Sequence, residues 1–129
     1  MQESILIISD EELEEHQLEE LKFRYNIYHI LEIPVQIAKS WMNINPLGEF
    51  DVSYLREMKE FLTEKKREGC RYIYFKGDKG AEHHMVSYAM SIGMVPLYAT
   101  TYDSASSKTR QEMEKHHICF RKYVGLDTK

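Results

Sequence analysis

Gly77-Asp78-Lys79-Gly80-Ala81 is the stretch of this sequence whose residue types most directly suggest chemistry. Glycines let a backbone approach a ligand closely or take positive φ, and a helix starting here would offer unpaired N–H groups to an anion. The segment has neither the Gly-Lys-Ser/Thr of a phosphate loop nor a Gly-x-Gly-x-x-Gly fingerprint. An aspartate inside a pure phosphate cradle would repel its ligand. Asp78 is therefore expected to accept from a sugar hydroxyl or an adenine amine, while Lys79 or the helix N–H groups face phosphate. A tight structural turn would account for the same residues.

Other candidates lie further along. Thr100 and Thr101 could donate hydroxyls to phosphate, or one could simply cap a turn; Asp103 is an odd neighbour for phosphate. His117 and Arg121 could clamp a phosphate, or be surface residues of no special role. His83 and His84 invite a metal reading, but adjacent helical residues diverge by about 100° and the i, i+4 spacing of a zinc pair is missing. Trp41 suits a core, or a groove where its indole stacks a base. No Ser–His–Asp or Cys–His arrangement follows from spacing, and no metal or cofactor is called for.

The elements that must position these residues alternate. Ile5–Ile8 reads as a strand buried on both faces. Ser9 with Glu12 has the spacing of a capping box, and Leu18, Leu21 and Tyr25 repeat at helical spacing. A strand over Tyr28–Ile33 ends at Pro34, and a short helix over Val35–Trp41 stops near Asn45-Pro46. Asp51–Glu68 is the longest helical segment, with Val52, Leu55, Met58 and Leu62 as its stripe and Gly69 as its cap. A strand at Arg71–Phe75, a helix from Gly80 to Ile92 capped by Gly93, and a strand at Val95–Ala99 follow. That helix is apolar nearly all round, which fits burial within one chain or against a second subunit. Thr100–Gln111 reads as loop. His117–Val124 alternates, with Ile118, Phe120 and Val124 on one face and His117, Cys119, Arg121 and Tyr123 on the other. The expected fold is α/β and Rossmann-like, one domain over 1–129, with a mostly parallel sheet of about five strands flanked by helices. Ligands in such sheets bind beyond the carboxyl ends of the strands. That rule brings Ser9-Asp10, Gly77–Ala81 and Thr100–Asp103 to one edge.

Composition narrows the classes. With 129 residues, 43% hydrophobic and 29% charged, the chain can bury a core without staples. No signal peptide or spanning run is visible, so a cytoplasmic protein without membrane attachment is expected. Cys70 and Cys119 are two lone thiols, which fits a reducing compartment. A net charge of −4 argues against duplex nucleic acid as a partner. The first 20 residues hold eight carboxylates and no Lys or Arg, whereas the C-terminal third is richer in basic side chains. An anion would meet the C-terminal third more readily.

Taken in order, several of these pieces resemble the small standalone CRISPR-associated Csx-twenty proteins of type III systems, regarded as Rossmann-like ring nucleases. The pieces are the first strand ending in Ser9; Pro34 with Trp41-x-Asn43-Ile44-x-Pro46; Gly77-Asp78-x-Gly80-Ala81 with Met85-Val86; Pro96-x-Tyr98-x-Thr100-Thr101; and His117-Ile118-x-Phe120-Arg121-Lys122-Tyr123. The resemblance implies a homodimer that binds a cyclic oligoadenylate, the tetra-adenylate first among ring sizes. It further implies metal-independent cleavage by the ribose 2′-OH, leaving a 2′,3′-cyclic phosphate and silencing antiviral signalling. A sensor or sponge that holds the ring without cutting it is the alternative. The implied catalytic residues are Asp78, Lys79 and Arg121. Ser9, Asp10, Gly77, Gly80, Ala81, Thr100, Thr101 and His117 would bind the ligand. Asp10 stands where the family commonly has His, and Asp103 near a usual Arg.

Overall fold

A computed structural model of the chain describes residues 2–44, 47, 51–103 and 115–125. The expected helix stop at Asn45-Pro46 and the stretch 104–114 lie outside the described residues. Five strands form one sheet: β1 Glu3–Ser9, β2 Ile27–Leu31, β3 Tyr72–Lys76, β4 Val95–Asp103 and β5 Lys115–Lys122. Their order is β2-β1-β3-β4-β5, with β1, β2, β3 and β4 parallel and β5 antiparallel to β4. Helices α1 Glu15–Tyr25, α2 Val35–Met42, α3 Arg56–Arg67 and α4 Lys79–Ser91 connect them. This is the α/β, Rossmann-like arrangement that the alternating pattern predicts.

The side-chain period of two divides the core. Leu6, Ile8, Ile73 and Phe75 face one way, onto Ile37 and Trp41 of α2, Met58 and Leu62 of α3, and Ala81, Met85, Val86 and Ala89 of α4. Ile5, Tyr72, Tyr74 and Leu97 face the other way, onto Leu21 of α1 and Phe120 of β5. One face thus carries three helices, and the other carries α1. Tyr88, Met90 and Ile92 pack partly buried against the first cluster. Burial within the chain accounts for the all-round apolar character of α4.

Several boundaries move for local reasons. Ser9 does not open α1: its Oγ accepts the Glu11 N–H at 3.0 Å, and the helix begins at Glu15. There Gln17 reaches back to accept the Glu14 N–H at 2.8 Å, so the capping contact lies five residues later than the Ser9–Glu12 pair suggests. The segment starting at Asp51 opens as a 3₁₀ turn, Val52–Leu55, with Asp51 accepting from Ser53 N–H at 2.9 Å, before α3 proper. Val52 is exposed and leaves the stripe to Leu55, Met58 and Leu62. Gly69 and Gly93 both end helices at positive φ, 107° and 88°, as expected of C-terminal caps. Thr100–Asp103 belongs to β4 rather than to a loop.

Candidate functional site

A cleft of about 570 Å³ opens at the carboxyl ends of β1, β3 and β4. It straddles β1 and β3, the place where connections leave the sheet in opposite directions and where ligands of open parallel sheets bind. Ser9, Asp10 and Glu11 enter it from the end of β1, Glu12 and Glu14 from the segment leading into α1, and Gln17 from its first turn. Tyr74, Lys76 and Gly77 line it from β3, Lys79 and Glu82 from the first turn of α4, and Tyr98, Thr101, His117 and Tyr123 from the hairpin side.

Among the residues expected to form a site, the fold brings Ser9, Asp10, Gly77, Lys79, Thr101 and His117 to this cleft. Asp78, Gly80, Ala81, Thr100 and Arg121 are not on its walls. Asp78 is the N-cap of α4, and its Oδ2 accepts the Ala81 N–H at 2.9 Å. It covers a helix amide that an anion would otherwise use. Ala81 is fully buried. Thr100 spends its hydroxyl inside the hairpin, donating to the Cys119 carbonyl at 3.0 Å and accepting the Cys119 N–H at 3.1 Å. Arg121 is exposed, and Tyr98 first and then Cys119 raise its guanidinium above the ordinary value.

The glycine at position 77 has a packing reason. A Cβ there would stand 2.6 Å from Nε1 of the Trp41 indole. That indole is 3% exposed and donates at 2.9 Å to the Lys76 carbonyl, which also accepts the Asp10 N–H at 3.1 Å. Trp41 is thus a core residue that ties the ends of β1 and β3 together under the cleft. Close approach of backbone to a neighbour, one of the two uses of glycine, is met here by an indole rather than a ligand.

His117 departs from the face that alternation assigns it. Thr100 pairs with Cys119 but Thr101 pairs with His117, so Ile118 is an extra residue in β5. This bulge turns His117 toward Phe120, their rings 4.6 Å apart, and leaves Ile118 57% exposed. Gln17 Oε1 is committed to the Glu14 N–H, so its Nε2 donates to His117 Nδ1 at 3.2 Å. The imidazole proton then sits on Nε2 and is donated to Glu20 Oε1 at 2.5 Å. His117 is therefore held by α1 and is not a free phosphate clamp. The same helix finishes the edge of β5: Phe120 N–H donates to Glu20 Oε2 at 2.7 Å, and its carbonyl accepts from Tyr25 Oη at 2.9 Å and Arg24 at 3.0 Å. Burial pushes the Glu20 carboxyl up, but bonds from His117, Phe120 N–H and Arg24 outweigh it and hold the group below its ordinary value.

Glu82 is the site residue that sequence reading passes over. It is half-buried and lines the cleft one turn into α4. Burial first, and then the charges of Asp10 and Asp78, raise its carboxyl above the ordinary value against the pull of Gly77 N–H and Lys76. Lys76 itself is drawn to Glu11, at 2.6 Å. The only signal in the sequence was its place four residues after a strand-to-helix aspartate, which adjacent histidines obscured. Tyr74, buried beside these carboxylates, is pushed up to about 12. Among the described residues no group of three His, Cys, Asp or Glu is placed to hold a metal ion, and no helix is long and apolar enough to cross a membrane.

The two thiols differ in kind. Burial pushes Cys70 up to about 11. Cys119, only part-buried, is lowered by its hydrogen bond with Thr100, with Arg24 and Arg121 helping against slight burial. Alkylation of the native protein at pH 8 should therefore modify Cys119 and spare Cys70 until denaturant is added, as peptide mass mapping would show.

The chain is 27% identical over 126 residues to the Uncharacterized protein MJ1673 of Methanocaldococcus jannaschii, covering 92% of this chain and 95% of that protein. No solved structure matches it significantly. The match to the sequence model of the Uncharacterized protein MJ1673 family runs over residues 3–123, from the first strand to just past the last, and the chain belongs to that family.

Proposed function

We propose that the protein is a ring nuclease of the CRISPR-associated Csx-twenty kind. It binds a cyclic oligoadenylate in the cleft and cleaves it by metal-independent attack of a ribose 2′-OH, silencing type III antiviral signalling in the cytoplasm. The observation that carries this reading is the cleft at the β1/β3 switch, where Ser9, Thr101 and Lys79 stand around one opening. About 570 Å³ falls within the roughly 300–1,000 Å³ of small-ligand sites. It suits part of a ring, which a two-fold homodimer would complete.

The lining redistributes the roles. Lys79 faces phosphoryl oxygens, and the hydroxyls of Ser9 and Thr101 donate to them. Asp10 takes the part that the sequence suggests for Asp78, accepting from a ribose hydroxyl or an adenine amine. Asp78 and Arg121 serve the helix cap and the Tyr98 contact.

One observation favours the second reading, a sensor or sponge that retains the ring. The cleft carries five carboxylates, Asp10, Glu11, Glu12, Glu14 and Glu82, against two lysines. That balance suits nucleoside edges better than stabilisation of a phosphoryl transition state. Incubation with labelled cyclic tetra-adenylate in EDTA separates the two. Linear products ending in cyclic phosphate support the nuclease, an intact retained ring supports the sponge, and no binding removes both. In the first case Lys79→Ala should slow cleavage about 10²-fold, the scale of losing one charge-stabilising group.

A further inference from the structure

We propose that Glu82 is the general base of the cleft, taking the proton of the ribose 2′-OH that attacks the neighbouring phosphodiester. This inference rests on the cyclic-oligoadenylate reading and deepens it. Glu11 is neutralised by Lys76 at 2.6 Å. Glu12 and Glu14 line the cleft from the segment leading into α1, where Glu14 lies 3.2 Å from His16, and Asp10 is assigned to a nucleoside edge. Asp78 is committed to the α4 amide of Ala81. Glu82 is half-buried and lines the cleft from the first turn of α4, in the same wall as Lys79. Its place one turn into α4 puts it beside both the Ser9-Asp10 end of β1 and Lys79, the group assigned to the phosphate.

In the step, a Glu82 oxygen accepts the 2′-O–H proton as O2′ forms its bond to phosphorus. The P–O5′ bond breaks, O5′ takes a proton from water, and Glu82 returns its proton to solvent. The ring opens to a linear chain with a 2′,3′-cyclic phosphate and a 5′-OH, and no water is consumed. The groups facing Glu82 set its basicity: Asp10 from the end of β1, Lys76 and Tyr74 from β3, Asp78 from the cap of α4, and Tyr123 after β5. Burial and the two aspartates make the carboxylate a better proton acceptor than an exposed glutamate, as a base working near neutrality requires.

The test is Glu82→Gln, which keeps the size and shape of the side chain, with circular dichroism confirming the fold. Single-turnover cleavage of labelled cyclic tetra-adenylate in EDTA is measured across pH, alongside equilibrium binding of the ring. The variant should cleave about 10²-fold or more slowly, with affinity unchanged. Wild-type rates should fall tenfold per pH unit below the Glu82 pKa and level off above it, and the variant should lose that acid limb. Wild-type rates or a preserved acid limb in Glu82→Gln overturn the assignment while leaving the ring-nuclease reading intact. A wild-type protein that binds or cleaves no ring overturns both.

Discussion

Replacing Trp41 with alanine is expected to lower the unfolding free energy by about 3–5 kcal/mol, the cost of emptying a buried indole site. The residue is 3% exposed, packs with its ring centroid 5.7 Å from that of Phe75, and belongs to the larger core cluster. Its loss also leaves the Lys76 carbonyl with the Asp10 N–H alone. The same contact makes a second variant informative. A methyl group at position 77 would sit 2.6 Å from the indole nitrogen, so Gly77→Ala alone should cost about 1–3 kcal/mol through overpacking. With Trp41 truncated, the three atoms nearest the added methyl are removed and that penalty should largely disappear. A double-mutant cycle from urea titrations reads this directly: a coupling near zero would show that the indole is not what excludes a side chain at Gly77.

Glu20→Ala should be nearly as costly, at about 2–3 kcal/mol at neutral pH, because it strips charged hydrogen bonds and leaves part-buried donors without an acceptor. Glu20 joins α1 to β5 through His117, Phe120 N–H and Arg24, and its side chain is 13% exposed. The carboxyl is lowered in the folded state. Its stabilisation is therefore present above the unfolded-state value of about 4.3 and is lost as pH falls through the lower folded value. Wild-type stability should decline across that acid window, and the variant should decline less steeply there. Identical acid profiles in denaturant melts would show that Glu20 is not the linkage. Because α1 and its leading segment also wall the cleft with Glu14 and Gln17, the variant should loosen that wall as well as the hairpin.

The strand-to-helix turn at Gly77–Ala81 was visible in the residues, and so was the edge at which Ser9 and Thr101 would join it. Its meaning was less visible. Asp78 reads as a ligand partner only until the helix start is placed, because an N-cap and a ligand acceptor call for the same side chain. Gly77 reads as a concession to a ligand only until Trp41, remote in sequence, is found against it. Glu82 gave only a weak local signal, its place four residues after Asp78, since a glutamate in a first helical turn is ordinary.

The β5 strand shows the same division most clearly. Period-two alternation identified it as a half-exposed strand, and periodicity likewise identified β1, α3 and the glycine caps at Gly69 and Gly93, because each depends on residues within one or two turns of one another. Whether the alternation continues unbroken depends on what lies across the sheet. The extra residue at Ile118 shifts the pairing with β4 and puts His117 with Phe120 against α1. Local spacing thus determined the elements, their sequence and the edge of the sheet that could hold a ligand. Only the tertiary structure decided which polar groups are committed to caps, bulges and seams, and which, like Lys79 and Glu82, remain to face the cleft. The physical reason is that a polar side chain takes whichever partner packing brings within about 3 Å, and most of these partners lie dozens of residues away.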